Sequence, residues 1–138
     1  MNIQYLPHTA DIRMRITGTG LEDLFRAGVI GMGNILKSRF CDRKDRLSLK
    51  RQIDITASDG TCLLIDFLSE VLSASCAEKA IFCEVHFFEL SERIIRAAIF
   101  GRPYNQGFDE EIKAVTYHEA DVQRNNEGDW ETTIIFDI

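Results

Sequence analysis

The last quarter of the chain most constrains the fold, because it contains two apolar segments separated by one polar turn. Residues 112–122 (IKAVTYHEADV) include several β-branched and aromatic side chains but neither Gly nor Pro, which predicts a strand. The polar turn covers residues 125–129, and residues 130–138 (WETTIIFDI) predict a second strand. Two strands joined in this way predict an antiparallel β-hairpin.

The second of these strands ends in two adjacent carboxylates. The Asp137 side chain is followed directly by Ile138, whose main-chain carboxylate is the last group of the sequence. Carboxylates held this close by a sheet repel each other, and a cation or a nearby lysine relieves the repulsion. A hairpin register that pairs Asp137 with Thr116 would place Lys113 just beyond the terminal carboxylate.

The rest of the chain predicts alternating strands and helices, followed by strands only. Apolar residues recur at helical spacing in two segments, and apolar and polar residues alternate in the segments between and after them. Short turns join the late strands, which requires antiparallel pairing. The sequence therefore predicts a single α+β domain over residues 1–138, with two helices packed on a mostly antiparallel sheet. The predicted helices are 21–37 and 61–79, the strands before the final hairpin are 12–17, 47–57, 81–90 and 93–100, and a loop covers 101–110.

Composition limits the classes of partner. The chain has 138 residues, 45% of them hydrophobic, and a net charge of -6, which argues against strong direct binding of nucleic acid. Basic residues are concentrated once, in residues 37–51, where Asp42 and Asp45 interrupt them. Such a run favours a solvated connecting segment over a phosphate-binding patch.

The four cysteines carry no metal-binding pattern. Cys41, Cys62, Cys76 and Cys83 form no CxxC pair, which argues against a zinc site. No signal peptide opens the sequence, and no apolar run is predicted to span a membrane. These features predict a cytoplasmic protein with reduced thiols.

No signature of a known catalytic site is present. The sequence has no GxSxG, no P-loop and no glycine-rich fingerprint after a strand. Asp66 and Glu70 lie one helical turn apart and could bind a divalent ion, but a solvated helix face is the favoured interpretation. His86 lies among apolar residues and is predicted to be a packed or edge histidine rather than a catalytic one.

Five segments together resemble the archease family over the whole chain. They are PHTAD at residues 7–11, Gly18 with LEDLF at 21–25, residues 63–72, KAVTYH at 113–118 and the terminal FDI at 136–138. The resemblance implies a protein cofactor rather than an enzyme. Its expected partner is the tRNA-splicing RNA ligase, whose guanylylation and multiple turnover it promotes and whose nucleotide use it broadens.

The same resemblance implies a divalent-metal site, usually described with calcium. Its ligands match Asp11, Asp137 and the terminal Ile138, and these oxygen donors suit a hard cation. Lys113 matches a family lysine that we expect to be needed for activation.

The roles of two histidines are left open by the sequence. His8 and His118 are either ligands or partner contacts, or else His8 caps its loop and His118 packs in its strand. Two other functions remain alternatives. One is a chaperone or specificity modulator of a tRNA methyltransferase, suggested by gene neighbourhood in the family. The other is a metal-dependent hydrolase using Asp11 and Asp137, which no motif supports with a nucleophile or base.

Overall fold

A computed structural model of the chain describes residues 1–6 and 10–138, and it confirms the α+β class. Helix α1 follows the second strand, and helix α2 lies between the third and fourth strands. A short 3-10 turn covers Phe40–Asp42. The helices are α1 (Leu21–Leu36) and α2 (Gly60–Glu78), and the strands are β1 (Asn2–Leu6), β2 (Asp11–Gly18), β3 (Leu49–Thr56), β4 (Ala80–Leu90), β5 (Ile94–Pro103), β6 (Ala114–Thr116), β7 (Gln123–Arg124) and β8 (Trp130–Asp137).

The strands form two antiparallel sheets, where the sequence predicted one. The five-stranded sheet has the order β1-β2-β8-β6, with β7 also paired to β8, and the three-stranded sheet has the order β3-β5-β4. The β4–β5 hairpin pairs with β3 and not with the final hairpin. Alternation of apolar and polar residues shows which face of a strand is buried, but it does not show which strand is its neighbour. The number of sheets could therefore not be predicted from this alternation.

Both helices pack against strands of both sheets, and the core lies along these contacts. Helix α1 contacts β2 of one sheet and β4 of the other, while α2 contacts β3 and β4 as well as β6. The rings of Phe25 on α1 and Phe67 on α2 lie 5.8 Å apart, and both side chains are fully buried. Strand β8 contributes Ile134 and Phe136 to the same core. Strand β8 is thus an interior strand of its sheet, and it passes from the buried Phe136 to the exposed Asp137 at its end.

Helix α2 begins at a side-chain cap. Asp59 Oδ1 accepts a hydrogen bond from the main-chain N–H of Cys62 at 2.8 Å, which satisfies one of the free N–H groups of the first turn. This hydrogen bond lowers the pKa of the Asp59 carboxyl. Asp59, the residue directly before the helix, is therefore its N-cap.

The sequence analysis expected no apolar segment able to span a membrane, and one helix meets that criterion by length and composition only. Helix α2 is long and apolar enough to do so, but half of it is buried inside the molecule. Its buried residues include Leu64, Phe67 and Leu68, which pack in the core. The helix thus has the contacts expected of a core helix in a soluble protein.

The expectation of reduced thiols is wrong for two of the four cysteines. A disulfide joins Cys41, in the 3-10 turn, to Cys83 on β4. Cys62 and Cys76 are free thiols. The two bonded residues are 42 positions apart, and no spacing rule pairs them in advance.

Candidate functional site

One end of the five-stranded sheet brings Asp11 and Asp137 together. Asp11 is the first residue of β2 and pairs directly with Asp137 on β8. Side chains directly opposite each other on antiparallel strands have Cβ atoms about 4.5–5.5 Å apart and point to the same face. Ile138 follows Asp137 with its main-chain carboxylate. The three residues predicted as metal ligands therefore lie at one place, although metal binding itself stays a prediction.

The groups at this place suit a hard divalent cation. Within residues 1–6 and 10–138, no three His, Cys, Asp or Glu side chains form a metal cluster. Asp11 and Asp137 supply two carboxylates, and the third oxygen donor would be the main-chain carboxylate of Ile138. An all-oxygen set with several negative charges is the chemistry that calcium or magnesium prefers. The donor types therefore fit the implied ion.

The main chain of Lys113 lies next to Asp137. The observed pairing of β6 with β8 is shifted by two residues from the predicted pairing. The structure pairs Asp137 with Ala114, where the sequence predicted Thr116. The main-chain N–H of Lys113 donates to the Asp137 carbonyl oxygen at 2.7 Å. A shift of two residues keeps every side chain on its predicted face, because side chains alternate with a period of two. The Lys113 side chain is exposed, and none of the ion pairs found in the described part of the chain includes it.

His118 lies in an exposed turn and not in a strand. The long strand predicted over residues 112–122 stops at Thr116, and β7 begins only at Gln123. Within the intervening segment Glu119 has a φ of 59°, in the left-handed region that strands do not use. The interpretation of His118 as a packed strand residue is therefore wrong. His8 lies outside the described residues.

Two long-range contacts hold this turn, and the sequence analysis found neither. The Arg13 Nη2 atom on β2 donates to Glu119 Oε1 at 2.6 Å. Arg13 is on the same face of β2 as Asp11, two residues away, so the ion pair holds the turn over the face that carries the acidic end. On the other side, the Tyr117 hydroxyl donates to the Asp66 carboxylate on α2. The partners are 106 and 51 positions apart, and no local pattern relates them.

The contact with Asp66 changes the chemistry of Tyr117. Donation of the phenolic proton to a carboxylate, together with partial burial, raises the pKa of Tyr117 to about 12. The phenol therefore keeps its proton to a higher pH than an ordinary tyrosine and acts as a hydrogen-bond donor. Asp66 thus has a protein partner, and in the part of the chain that the structure describes it belongs to no group of three or more His, Cys, Asp or Glu residues that could hold a metal.

A cavity of about 380 Å³ opens beside Asp11. Tyr5, Ile12, Asn34 and Glu110 also line it, and the Tyr5 hydroxyl donates to the Gly31 carbonyl oxygen at 2.9 Å. Glu110 is the acidic residue here that the sequence analysis did not single out. It lies in the loop before β6, where no periodicity shows its orientation.

The chain matches one family model over nearly its whole length. The model is described as the Archease protein family (MTH1598/TM1083), and it matches residues 4–138. A protein of Methanosarcina mazei called protein archease is 30% identical over 142 residues, which cover 98% of this chain and 94% of that protein.

Two solved structures share the fold. The solution structure of protein 1598 from Methanobacterium thermoautotrophicum has a TM-score of 0.77 at 23% identity, and the match covers 99% of this chain and 98% of that one. The crystal structure of an archease from Thermotoga maritima, described as a possible chaperone, has a TM-score of 0.61 at 18% identity. That match covers 96% of this chain and 94% of the other.

Proposed function

The chain belongs to the archease family, and on that premise we propose that it is a protein cofactor that activates the tRNA-splicing RNA ligase. In this proposal it promotes guanylylation of the ligase, supports multiple turnover and broadens nucleotide use, and it works in the cytoplasm without catalysing a reaction itself. The observation that carries the proposal is the family match over residues 4–138, which includes nearly every structural element. The net charge of -6 favours binding to a protein over nonspecific binding to RNA.

The acidic end of β8 is the proposed metal site. Asp11, Asp137 and the Ile138 carboxylate would hold one divalent cation, with calcium as the first choice. The bound ion would supply two positive charges, which offset most of the repulsion among the three carboxylates. The chain itself sets the position of these groups through the direct pairing of Asp11 with Asp137.

Loss of one ligand should weaken metal binding. We expect Asp137→Asn, or one added residue after Ile138, to raise the dissociation constant for calcium at least tenfold, on the order of 1.4 kcal/mol. The first change removes a negative charge, and the second moves the terminal carboxylate away. Isothermal titration calorimetry measures the effect. Asp54→Asn is the matched control, because Asp54 is exposed on β3 in the other sheet. Unchanged titrations for both site variants would remove this site.

Lys113 is the proposed contact with the ligase. Its main-chain N–H bonds to the Asp137 carbonyl oxygen, and its side chain is exposed to solvent. With a cation bound to the carboxylates, the ammonium is free to reach a phosphate or acidic group near the nucleotide site of the ligase. A mobile point charge suits that contact. His118, which is exposed in the turn after β6, is proposed as a second contact.

Activation of the ligase should depend on Lys113 itself and not on the number of positive charges on the protein surface. Catalytic amounts of the protein should speed the transfer of labelled GMP from GTP to the cognate ligase. Lys113→Ala should lower this activation tenfold or more, while the free energy of unfolding changes by less than about 0.5 kcal/mol, as for other surface substitutions. Lys44→Ala, at another exposed lysine without an ion pair in the described residues, should activate normally.

Other outcomes would assign different roles. A Lys113→Ala protein that melts early or loses metal, yet activates normally per folded molecule, would make Lys113 a structural residue. No change in guanylylation by the wild-type protein, with metal present, would overturn ligase activation and favour the methyltransferase modulator.

A further inference from the structure

A basic cavity lies near the C-terminal end of α1, and none of its lining residues is a proposed metal ligand. It has a volume of about 460 Å³ and is lined by the 3-10 turn, the segment that follows it and the end of β5. We call it the Arg102 pocket, and its lining includes Phe40, Arg43, Arg46, Ser48, Arg102 and Tyr104. The volume is typical of small-ligand sites, which range over roughly 300–1,000 Å³.

The guanidinium of Arg102 is buried at the base of this pocket. The residue is 7% exposed, its Nη2 donates to the Phe40 carbonyl oxygen at 2.6 Å, and its Nη1 donates to the Asp45 carbonyl oxygen at 3.0 Å. These contacts fix its orientation with neutral acceptors only. In the described residues no carboxylate forms an ion pair with Arg102. Because buried arginines are normally paired with an anion, its positive charge lacks the usual compensation.

Two further arginines add positive charge at the same place. Arg43 lies over the Phe40 ring at 5.1 Å, and Arg102 lies over that ring at 4.5 Å. Arg46 also lines the pocket, and within residues 1–6 and 10–138 neither Arg43 nor Arg46 has an ion-pair partner. Asp45 is the one acidic residue of the lining. Three guanidinium groups therefore converge on a cavity in a protein whose net charge is -6.

We propose that the Arg102 pocket binds the phosphate group of a phosphorylated small molecule. Guanidinium groups present planar pairs of N–H donors that match phosphate oxygens, and a phosphate dianion would supply the missing negative charge. Arg102 would be the preoriented contact, Arg43 and Arg46 would close on the ligand from the exposed side, and the Ser48 hydroxyl would add a donor. The volume exceeds that of a phosphate ion, which leaves room for the sugar or nucleoside that carries it.

The sequence did not predict this site. Arg43 and Arg46 belong to the basic run of residues 37–51, which favoured a solvated connecting segment. Arg102 is more than 50 positions further along the chain and was assigned to a loop. Only the packing of β5 against the 3-10 turn brings the three together. The proposal does not depend on the ligase or on the metal site.

The test uses the whole protein and four probes without the ligase. Inorganic phosphate, ribose 5-phosphate, GMP and guanosine are titrated into ¹⁵N-labelled protein, and amide shifts are followed by NMR. We expect the three phosphate-bearing probes to shift amides of residues 40–48 and 102–106, and guanosine to shift none. Tighter binding of GMP than of ribose 5-phosphate would identify a nucleotide ligand, whereas equal affinities would identify the phosphate or sugar phosphate as the recognised group.

Two matched variants distinguish a specific phosphate site from nonspecific electrostatic attraction. Arg43→Gln/Arg46→Gln should weaken binding of the phosphate probes at least tenfold and leave the fold intact, because both residues are exposed. Lys44→Gln is the matched control, since Lys44 lies between them but does not line the pocket, and it should change the affinity less than twofold. Equal losses of affinity in the double variant and in Lys44→Gln would overturn the proposal. So would the absence of amide shifts in the wild type at millimolar phosphate.

Discussion

Gly101→Ala should destabilise the protein by about 3 kcal/mol or more, because the new methyl group would overlap main-chain atoms of the neighbouring strand. Gly101 lies on β5, the central strand of its sheet, and pairs with Phe82 on β4. A Cβ at this position would be 2.9 Å from the Ile81 carbonyl carbon and from Phe82 Cα, and closer still to the Ile81 oxygen. Main-chain atoms inside a sheet cannot move aside without breaking its hydrogen bonds. Urea denaturation of the two proteins measures the difference.

Gly20→Ala is the matched control. A Cβ at Gly20 would have no atom within 4 Å, and its φ of -142° is accessible to any residue. Gly20 precedes α1 as its N-cap, where alanine is poorer than glycine, so a loss of about 1 kcal/mol or less is expected. Similar losses for the two substitutions would show that the close approach of β4 to Gly101 does not determine the effect.

Cys41→Ser should lower the free energy of unfolding of the oxidised protein by roughly 2–4 kcal/mol. The Cys41–Cys83 disulfide closes a loop of 42 residues, and the entropy that such a cross-link removes from the unfolded chain is of this size. Urea denaturation of the wild type with dithiothreitol should match that of Cys41→Ser with or without reductant. The difference in the free energy of unfolding between the oxidised and the reduced wild type is the contribution of the disulfide.

The exposed free cysteine provides the control for this prediction. Cys76 is an exposed free thiol near the end of α2, and Cys76→Ser should change the free energy of unfolding by less than about 0.5 kcal/mol in either buffer. A wild-type protein whose stability does not respond to dithiothreitol would show that the disulfide contributes nothing measurable.

Local sequence patterns were enough to predict the elements that depend on residues close to one another in the chain. Apolar residues at helical spacing located α1 and α2 to within a residue or so at each end, because one face of each helix is buried in the core. Alternation located β2, whose Met14 and Ile16 are fully buried. The α2 cap is local too, because Asp59 accepts a hydrogen bond from an N–H only three residues away. The acidic cluster was also foreseeable, since Asp137 and Ile138 are adjacent in the chain.

Features that depend on distant partners were decided only by the tertiary structure. Gly101 was predicted to begin a loop, yet β5 continues to Pro103, because this glycine allows β4 to approach closely and does not interrupt the strand. The strand predicted through Val122 breaks after Thr116, where contacts of Tyr117 with α2 and of Glu119 with β2 replace strand pairing.

The same reason explains the disulfide, the two sheets and the Arg102 pocket. Each joins residues dozens of positions apart, such as Cys41 with Cys83 or Phe40 with Arg102. Periodicity and turn chemistry describe interactions over a few residues, and they determined the helices, most strands and the acidic chain end of this protein. Which strands pair, and which charged side chains converge, depends on how the completed elements pack, because only packing brings such distant groups into contact.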